Sequence, residues 1–325
     1  MKRRDLIAAA LAFVLPVLSP HAPAQEKYPN KPIRLIVPFA PGGSSEAVSR
    51  AFAGKMGEAL GQQIIVDNRP GGAGNIAMEA AAKADPDGYT LILGHIGTLA
   101  VNPYMFAKLP YDANKDFAPV TLLAKVPSIY VVNSSVPVKN LKEMMAYAKA
   151  NAGKVYYGSA GNGSAGHLAF EYLKLTTKME VQHVPYKGTG PQLTDLIGGQ
   201  TQASSAGTPP LMPHIKAGKL RAFAVGTLKR LPELPDVMTV AEQGYPGFET
   251  VQWYGIIAPA KTPVAIIKRL ADEAGHAAKS KEVQARFAND STEEIGSTPE
   301  EFAGFIKKEQ ARWSVVVKAA GIKAD

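Results

Sequence analysis

Residues 33–50, IRLIVPFAPGGSSEAVSR, join an apolar segment to a glycine-rich turn and a helical pattern. The apolar run predicts a buried strand, and the Pro-Gly-Gly after it predicts a tight turn, because glycine adopts backbone angles that other residues avoid. We expect the hydroxyls of Ser44 and Ser45 to cap the following helix, with Glu46 in its first turn. This order places free backbone N–H groups at the carboxyl edge of a sheet, which is a potential anion site.

Turns rich in small residues precede helical patterns at four places, 41–45, 70–75, 159–164 and 187–190. Strand and helix patterns alternate between them, which is typical of an α/β protein with parallel strands. A chain of 325 residues is long enough for two domains. We predict two Rossmann-like α/β domains with a ligand cleft between them. The predicted ranges are 25–124 with 248–325 for a discontinuous first domain, and 125–247 for the second.

The first 24 residues have the pattern of an export signal: a basic start, an apolar stretch too short to span a bilayer, and Ala-Pro-Ala before Gln25. We therefore expect cleavage after Ala24 and a soluble protein in the periplasm. The chain has no cysteine, which excludes disulfides, thiolate nucleophiles and cysteine-ligated metals. Its formal net charge is +8, but the basic residues are scattered, so we expect no nucleic acid partner.

Motifs for catalysis or cofactor binding are weak or missing. Residues 161–166, GNGSAG, match the G-x-G-x-x-G pattern, but the acid that dinucleotide sites need after the next strand is absent. The hydrolase elbow, the lysine-containing phosphate loop and the H-E-x-x-H motif are also absent. His95 and Thr98 follow a strand and are candidates for the cleft, while His167 either packs on its helix or faces the cleft. We expect no cofactor, no metal and no enzymatic activity.

The four turns share hydrogen-bond donors that can hold an anion without reacting with it. Backbone N–H groups at helix N-termini and the hydroxyls of Ser159 and Ser164 suit a carboxylate. Donors of this kind that converge on a cleft between two domains indicate a binding protein.

Several motifs occur in a specific order, among them VPFAPGG at 37–43, VDNRPGGAGN at 66–75, DPDGYT at 85–90 and VPYKG at 184–188. In these motifs the chain resembles the solute-binding proteins of tripartite tricarboxylate transporters, the Bug family. The resemblance extends over essentially the whole chain after the signal. It implies the type II periplasmic binding fold, with two domains that close on a small carboxylate. It also implies the membrane subunits of the transporter as partners.

The resemblance also implies which loops hold the ligand. By position they are 39–45, 94–98, 159–164 and the turn at 186–188. The predicted ligand-binding residues are Phe39, Ala40, Gly42, Gly43, Ser44, Ser45, His95, Thr98, Ser159, Ala160, Asn162, Ser164, His167, Tyr186, Lys187, Gly188, Ser205 and Ala206.

The chain departs from the family pattern at two places. Many relatives have an aromatic residue, Asp and Asn where this chain has Ser205, Ala206 and Gly207, and many have Asp where Glu46 stands. Without an acid at Ala206, an amine-bearing ligand loses one partner. We therefore expect a mono- or dicarboxylate, aromatic acids included, rather than an amino acid.

Two other functions stay open at this level. The loaded protein could signal to a membrane sensor kinase, since sensing uses the same closed form as transport. An exported hydrolase or lyase that uses His95 or His167 is a third hypothesis. We expect the protein to act as a monomer.

Overall fold

The structure is a computed structural model that describes residues 28–321. The export signal predicted over 1–24 lies outside the described residues. Within the described range the chain builds an α/β protein around one curled sheet of ten strands. None of the helices in this range is both long enough and apolar enough to cross a membrane.

The sheet combines parallel and antiparallel strands. The strands are β1 (Ile33–Val37), β2 (Ile64–Asn68), β3 (Thr90–His95), β4 (Phe117–Asn133), β5 (Tyr156–Ser159), β6 (Gln182–Pro185), β7 (Ala203–Gly207), β8 (Leu220–Val225), β9 (Val251–Pro259) and β10 (Glu293–Glu294). Their order is β2-β1-β3-β9-β4-β7-β5-β6, with β8 and β10 both paired to β4. Strands β1 to β3 are parallel, as are β5 to β7, which agrees with the predicted strand–helix–strand units. Strands β4 and β9 run antiparallel to their neighbours, an addition to the predicted Rossmann-like pattern.

Helices cover both faces of the sheet. They are α1 (Ser44–Leu60), α2 (Asn75–Ala82), α3 (Asn102–Met105), α4 (Leu141–Ala150), α5 (Ala165–Thr177), α6 (Thr189–Ile197), α7 (Thr208–Lys216), α8 (Val264–Ala278), α9 (Lys281–Ala288) and α10 (Pro299–Ala320). A π-helical turn, Gly97–Val101, joins β3 to α3.

Strand β4 links the two parts of the sheet. It is 17 residues long and unbroken, although Pro127 leaves the sequence pattern open to one strand or two. Up to the pair Pro127–Val251 it lies against β9, and from the pair Ser128–Gly207 onward it lies against β7. The strand continues because Pro127, which has no N–H to donate, occupies the last pair with β9, where that ladder ends.

We call the two parts of the fold on either side of this change the first lobe and the second lobe. The first lobe contains β1 to β3, β9, the start of β4 and helices α1 to α3 and α8 to α10. The second lobe contains the rest of β4, β5 to β8 and helices α4 to α7. The predicted domain boundaries at 124/125 and 247/248 lie close to the change and stay predictions.

Apolar side chains from the helices pack on each face of the sheet and hold each lobe together. In the first lobe, Phe52, Leu270 and Phe287 lie in one cluster, and Phe302 and Trp313 lie in another. The spacing of Phe302 and Trp313 in the sequence predicts an amphipathic C-terminal helix, and α8 to α10 do pack on the first lobe through their apolar faces. The second lobe has two further clusters, one containing Phe170 and Phe223 and one containing Leu196 and Leu211. Each fully buried side chain of this size contributes roughly 1.5–3 kcal/mol to stability.

Candidate functional site

Helix α1 begins at Ser44, and no side chain caps it. The prediction that Ser44 and Ser45 cap this helix is wrong. The turn places Gly43 in the extended conformation of an N-cap, so both serines already lie in the first helical turn and are buried there. The N–H groups that open α1 consequently have no side-chain cap.

Glu46 stabilises the turn in front of α1. Its Oε2 accepts the Gly42 N–H at 2.7 Å, and its Oε1 accepts from the Arg50 guanidinium at 2.7 and 2.8 Å. Both carboxylate oxygens are therefore occupied. The acid in the first turn holds the glycine turn in place and pairs with the next turn of the helix.

Helix α5 opens on the second lobe's side of the cleft. Ser164 is its N-cap, and the Ser164 Oγ accepts the His167 N–H at 3.3 Å. A serine hydroxyl has one hydrogen as well as its acceptor sites. The Ser164 oxygen therefore accepts a hydrogen bond from the first turn of α5, and the hydroxyl hydrogen can be donated to a ligand.

Ser159 is engaged within the second lobe. Its Oγ accepts the Gly161 N–H at 3.1 Å, lies 3.2 Å from the Gly161 carbonyl oxygen and lies 2.7 Å from His183 Nε2. With one hydroxyl hydrogen, all three contacts are satisfied when Ser159 donates to the carbonyl and accepts from His183. The His183 ring is itself stacked on Tyr157 and His167. A nucleophilic serine needs the opposite arrangement, with the histidine nitrogen accepting its hydrogen.

The two lobes touch through their backbones at residues 40–43 and 187–190, which we call the closing loops. The Ala40 N–H donates to the Lys187 carbonyl oxygen at 3.2 Å. A Cβ atom built on Gly190 would lie 2.6 Å from a backbone oxygen of the facing loop. Contact this close leaves no room for a side chain on the glycine.

Beside the closing loops lies a narrow cavity of about 20 Å³, roughly the space of one water molecule. Pockets for small ligands occupy roughly 300–1,000 Å³, so the lobes must separate to admit a ligand. Both lobes line the cavity, and strand β9 forms part of the first lobe's side. The lining residues are Phe39, Ser45, His95, Ala160, Ser164, Ala165, Gly166, Thr189, Ser205, Ala206, Gln252 and Tyr254.

Three helix N-termini meet at this cavity. Ser45 belongs to the first turn of α1, Ser164 caps α5, and Thr189 is the first residue of α6. Each N-terminus carries roughly half a positive charge and N–H groups without intrahelical partners. None of the described lining residues is Asp, Glu, Lys or Arg. The cavity therefore favours an anion by dipoles and neutral donors alone.

Two buried polar groups on the wall have unused hydrogen-bonding capacity. Within the described part of the chain, neither His95 Nε2 nor Ser205 Oγ has a hydrogen-bond partner, and each residue is 1% exposed. Burial lowers the pKa of His95 to about 3, so its imidazole is neutral at ordinary pH. Buried polar groups are normally paired, so these two atoms are available for a ligand.

Gln252 and Tyr254 are wall residues that the sequence reading missed. They are two residues apart on β9 and so point to the same face of the sheet, and the Tyr254 hydroxyl donates to Gln252 Oε1 at 2.8 Å. Burial raises the pKa of Tyr254, which keeps it a neutral phenol. The signal in the sequence was two polar side chains alternating with apolar ones on a strand that joins the lobes.

The predicted site residues separate into groups. Those on the cavity wall are Phe39, Ser45, His95, Ala160, Ser164, Ser205 and Ala206. The closing loops contain Ala40, Gly42, Gly43, Lys187 and Gly188. Off the wall and buried are Ser44, Thr98, Ser159 and His167, whereas Asn162 and Tyr186 are half-buried, with the Tyr186 hydroxyl bonded to Asp195. Ligand contact by each of them stays a prediction.

Residues 28–321 contain no group of three or more His, Asp or Glu side chains that could hold a metal ion. The chemistry that this site offers is recognition of an anion by hydrogen bonds.

Comparison with known proteins places the chain in a family. The family model of the tripartite tricarboxylate transporter family receptor, TctC, matches residues 48–322. The chain belongs to this receptor family. The resemblance to the solute-binding proteins of tripartite tricarboxylate transporters, drawn from the ordered motifs, is thereby confirmed.

Relatives of the receptor cover nearly its whole length. It is similar to the protein BugT of Bordetella pertussis, with 37% identity over 299 residues, 92% of each chain. It is also similar to the solved structure of Rpa4515 from R. palustris with adipate, at 36% identity and a TM-score of 0.88, covering 91% of this chain and 99% of that one. A third relative is MatC from Rhodopseudomonas palustris with bound malate, at 32% identity and a TM-score of 0.85, covering 89% and 100%. The predicted α/β periplasmic binding fold is confirmed by these matches.

Proposed function

We propose that the receptor captures a small carboxylate between its two lobes and delivers it to the membrane subunits of a transporter. One observation carries the proposal: three helix N-termini surround a cavity whose described lining has no charged side chain. Helix N-termini stabilise anions because their dipoles and free N–H groups both favour negative charge. The adipate and malate bound by two relatives are ligands of the same chemical class.

The same wall disfavours a ligand that carries an ammonium group. Ala206 offers no carboxylate, and the acid nearest in sequence to the first-lobe loop, Glu46, is already bonded to Gly42 and Arg50. An ammonium group buried without an acidic partner costs several kcal/mol. We therefore propose carboxylates without an amine, dicarboxylates included, as the ligand class.

Malate and aspartate form a matched pair for testing this ligand class, because malate carries a hydroxyl group where aspartate carries an ammonium group. Thermal unfolding and calorimetry of residues 25–325, with a panel of mono- and dicarboxylates that includes adipate, should find at least one that stabilises the protein. A ligand at a hundred times its Kd stabilises by about 2.7 kcal/mol. Malate should bind at least about tenfold more tightly than aspartate. A panel without a binder would contradict the function, and equal binding of malate and aspartate would contradict the ligand class.

Replacing Ser205 with alanine should weaken binding of the best carboxylate in the panel. The Ser205 hydroxyl lies on the cavity wall and has no protein partner in the described chain, so its loss should cost about 1–3 kcal/mol of binding and little stability. Ser128→Ala is the matched control, because Ser128 is equally buried, has an unpartnered hydroxyl and lies off the wall. Calorimetric titration of both variants checks this. An equal loss of affinity in both would mean that the effect comes from packing.

We also propose that the receptor is exported through its first 24 residues, works in the periplasm and does not transform its ligand. The pattern of residues 1–24 supports export, and the family is one of transport receptors. The arrangement of Ser159, which accepts from His183 rather than donating to it, supports binding without chemistry.

A further inference from the structure

We infer that His95 is a specificity-determining residue, which donates its Nε2–H as a neutral imidazole to a carboxylate oxygen of the ligand. The inference rests on the proposed function and adds to it the atom, its tautomer and its selectivity. His95 is the last residue of β3 and lies on the first lobe's side of the cavity wall.

The tautomer of His95 follows from its hydrogen bonds. The Gly97 N–H donates to His95 Nδ1 at 2.9 Å, so Nδ1 must be an acceptor. A neutral imidazole that accepts at one nitrogen carries its hydrogen on the other. Nε2 is therefore the donor, and moving the hydrogen to Nδ1 would leave the Gly97 N–H unpaired in the interior.

The ring has little freedom to turn Nε2 elsewhere. The Phe39 ring lies 4.7 Å from the His95 ring, centroid to centroid. The hydrogen bond from the Gly97 N–H holds the other ring nitrogen, Nδ1, in place. The Thr98 hydroxyl lies within 3.3–3.4 Å of the His95 backbone N and O and holds the residue in its turn. A fixed donor is better suited to recognition than a mobile one, because less entropy is lost on binding.

His95 Nε2 has no partner among residues 28–321, and His95 is 1% exposed. A buried N–H without an acceptor costs free energy, and a carboxylate oxygen that reaches Nε2 from the cavity would remove that cost. An ammonium group at the same place would bring its own N–H donors to the Nε2–H donor of His95, so neither group would find an acceptor. Burial lowers the pKa of His95 to about 3, so the ring stays a neutral donor over the range in which small carboxylic acids are ionised.

Two substitutions separate the roles of the two ring nitrogens. In His95→Asn the Oδ1 can take the place of Nδ1 and accept from Gly97, but no atom reaches as far as Nε2. In His95→Gln the Nε2 of the amide can take the place of the imidazole donor. Calorimetric titration of wild type and variants with adipate and malate should show an affinity loss of about 10- to 100-fold in His95→Asn and a smaller loss in His95→Gln. His276→Gln, which changes an exposed histidine on α8, is the matched control.

Nuclear magnetic resonance of ¹⁵N-histidine-labelled protein gives a second readout that a purely structural role would not change. Adipate or malate should shift the His95 Nε2–H resonance and leave Nδ1 unprotonated. Equal affinity of His95→Asn and wild type, together with an unmoved Nε2–H resonance, would overturn the assignment while leaving carboxylate binding intact. Failure of the wild type to bind any carboxylate would overturn the proposed function as well.

Discussion

Replacing Gly190 with alanine is expected to weaken ligand binding by about tenfold or more without destabilising the ligand-free protein. Gly190 lies in the first turn of α6, in the second lobe, and a Cβ atom there would be 2.6 Å from the Pro41 carbonyl oxygen of the first lobe. The Pro41 carbonyl belongs to the backbone, so it cannot move out of the way as the end of a flexible side chain could. The methyl group must therefore hold the closing loops apart and reduce the population of the closed form.

Folding itself should tolerate this substitution. No positive φ is found at Gly190, and alanine is favoured over glycine inside a helix by roughly 0.5–1 kcal/mol. The matched control is Gly304→Ala in α10, where a Cβ atom would meet nothing within 4 Å. Both variants should unfold at or slightly above the wild-type temperature, but only Gly190→Ala should lose affinity.

Calorimetry with the best carboxylate of the panel measures the affinity, and small-angle X-ray scattering measures closure. The saturated Gly190→Ala protein should have a larger radius of gyration than the saturated wild type. Wild-type affinity in Gly190→Ala would show that the closing loops do not need to meet when the ligand is held.

Turns that open helices were predictable because their signals are local. A turn of small residues lies between a strand pattern and a helical pattern at 41–45, 159–164 and 187–190, and each of these turns leads to a helix N-terminus beside the cavity. The convergence of these helices could be expected from the rule that ligands bind at the carboxyl ends of parallel strands. The fold class and the three helix N-termini at the cavity could therefore be predicted from sequence, whereas ligand binding there stays a prediction.

The parts that sequence reasoning missed depend on distances between remote residues. Ser159 and Ser164 look alike in the turn, yet Ser159 finds a partner in His183, 24 residues away, and Ser164 remains on the wall. Gln252 reaches the cavity only because β9 returns to lie between β3 and β4. No local pattern encodes these approaches. The prediction of a serine N-cap for α1 was wrong because the helix begins at Ser44 itself, one residue earlier than a cap at Ser44 requires. A shift of one residue decides whether a hydroxyl can reach a free backbone N–H of the first turn.

Acidification from pH 7.5 to pH 5 is expected to lower the free energy of unfolding by about 4 kcal/mol through two buried histidines. Burial is the main cause that lowers the pKa of His95 to about 3 and the pKa of His167 to about 4. In the unfolded chain a histidine has a pKa of about 6.5. Between these values the unfolded state binds protons that the folded state does not, so stability falls as pH falls, by about 1.4 kcal/mol per pH unit for each histidine.

Urea unfolding of the ligand-free protein at pH 7.5 and pH 5 measures this loss, which is a large part of the roughly 5–15 kcal/mol that stabilises a typical protein. Burial raises the pKa of Asp290, so this group makes the folded protein more stable as pH falls, opposite to the histidines. Variants are therefore needed to separate the contribution of the histidines. His167→Phe should lose about half of the histidine contribution to the pH dependence, and His167→Phe combined with His95→Asn should lose nearly all of that contribution and leave the one from Asp290. Equal stability of the wild type at both pH values would contradict burial of the two rings as neutral groups. With the loss confirmed, acid down to pH 5 would act on this receptor by lowering its stability and would leave the His95 donor neutral.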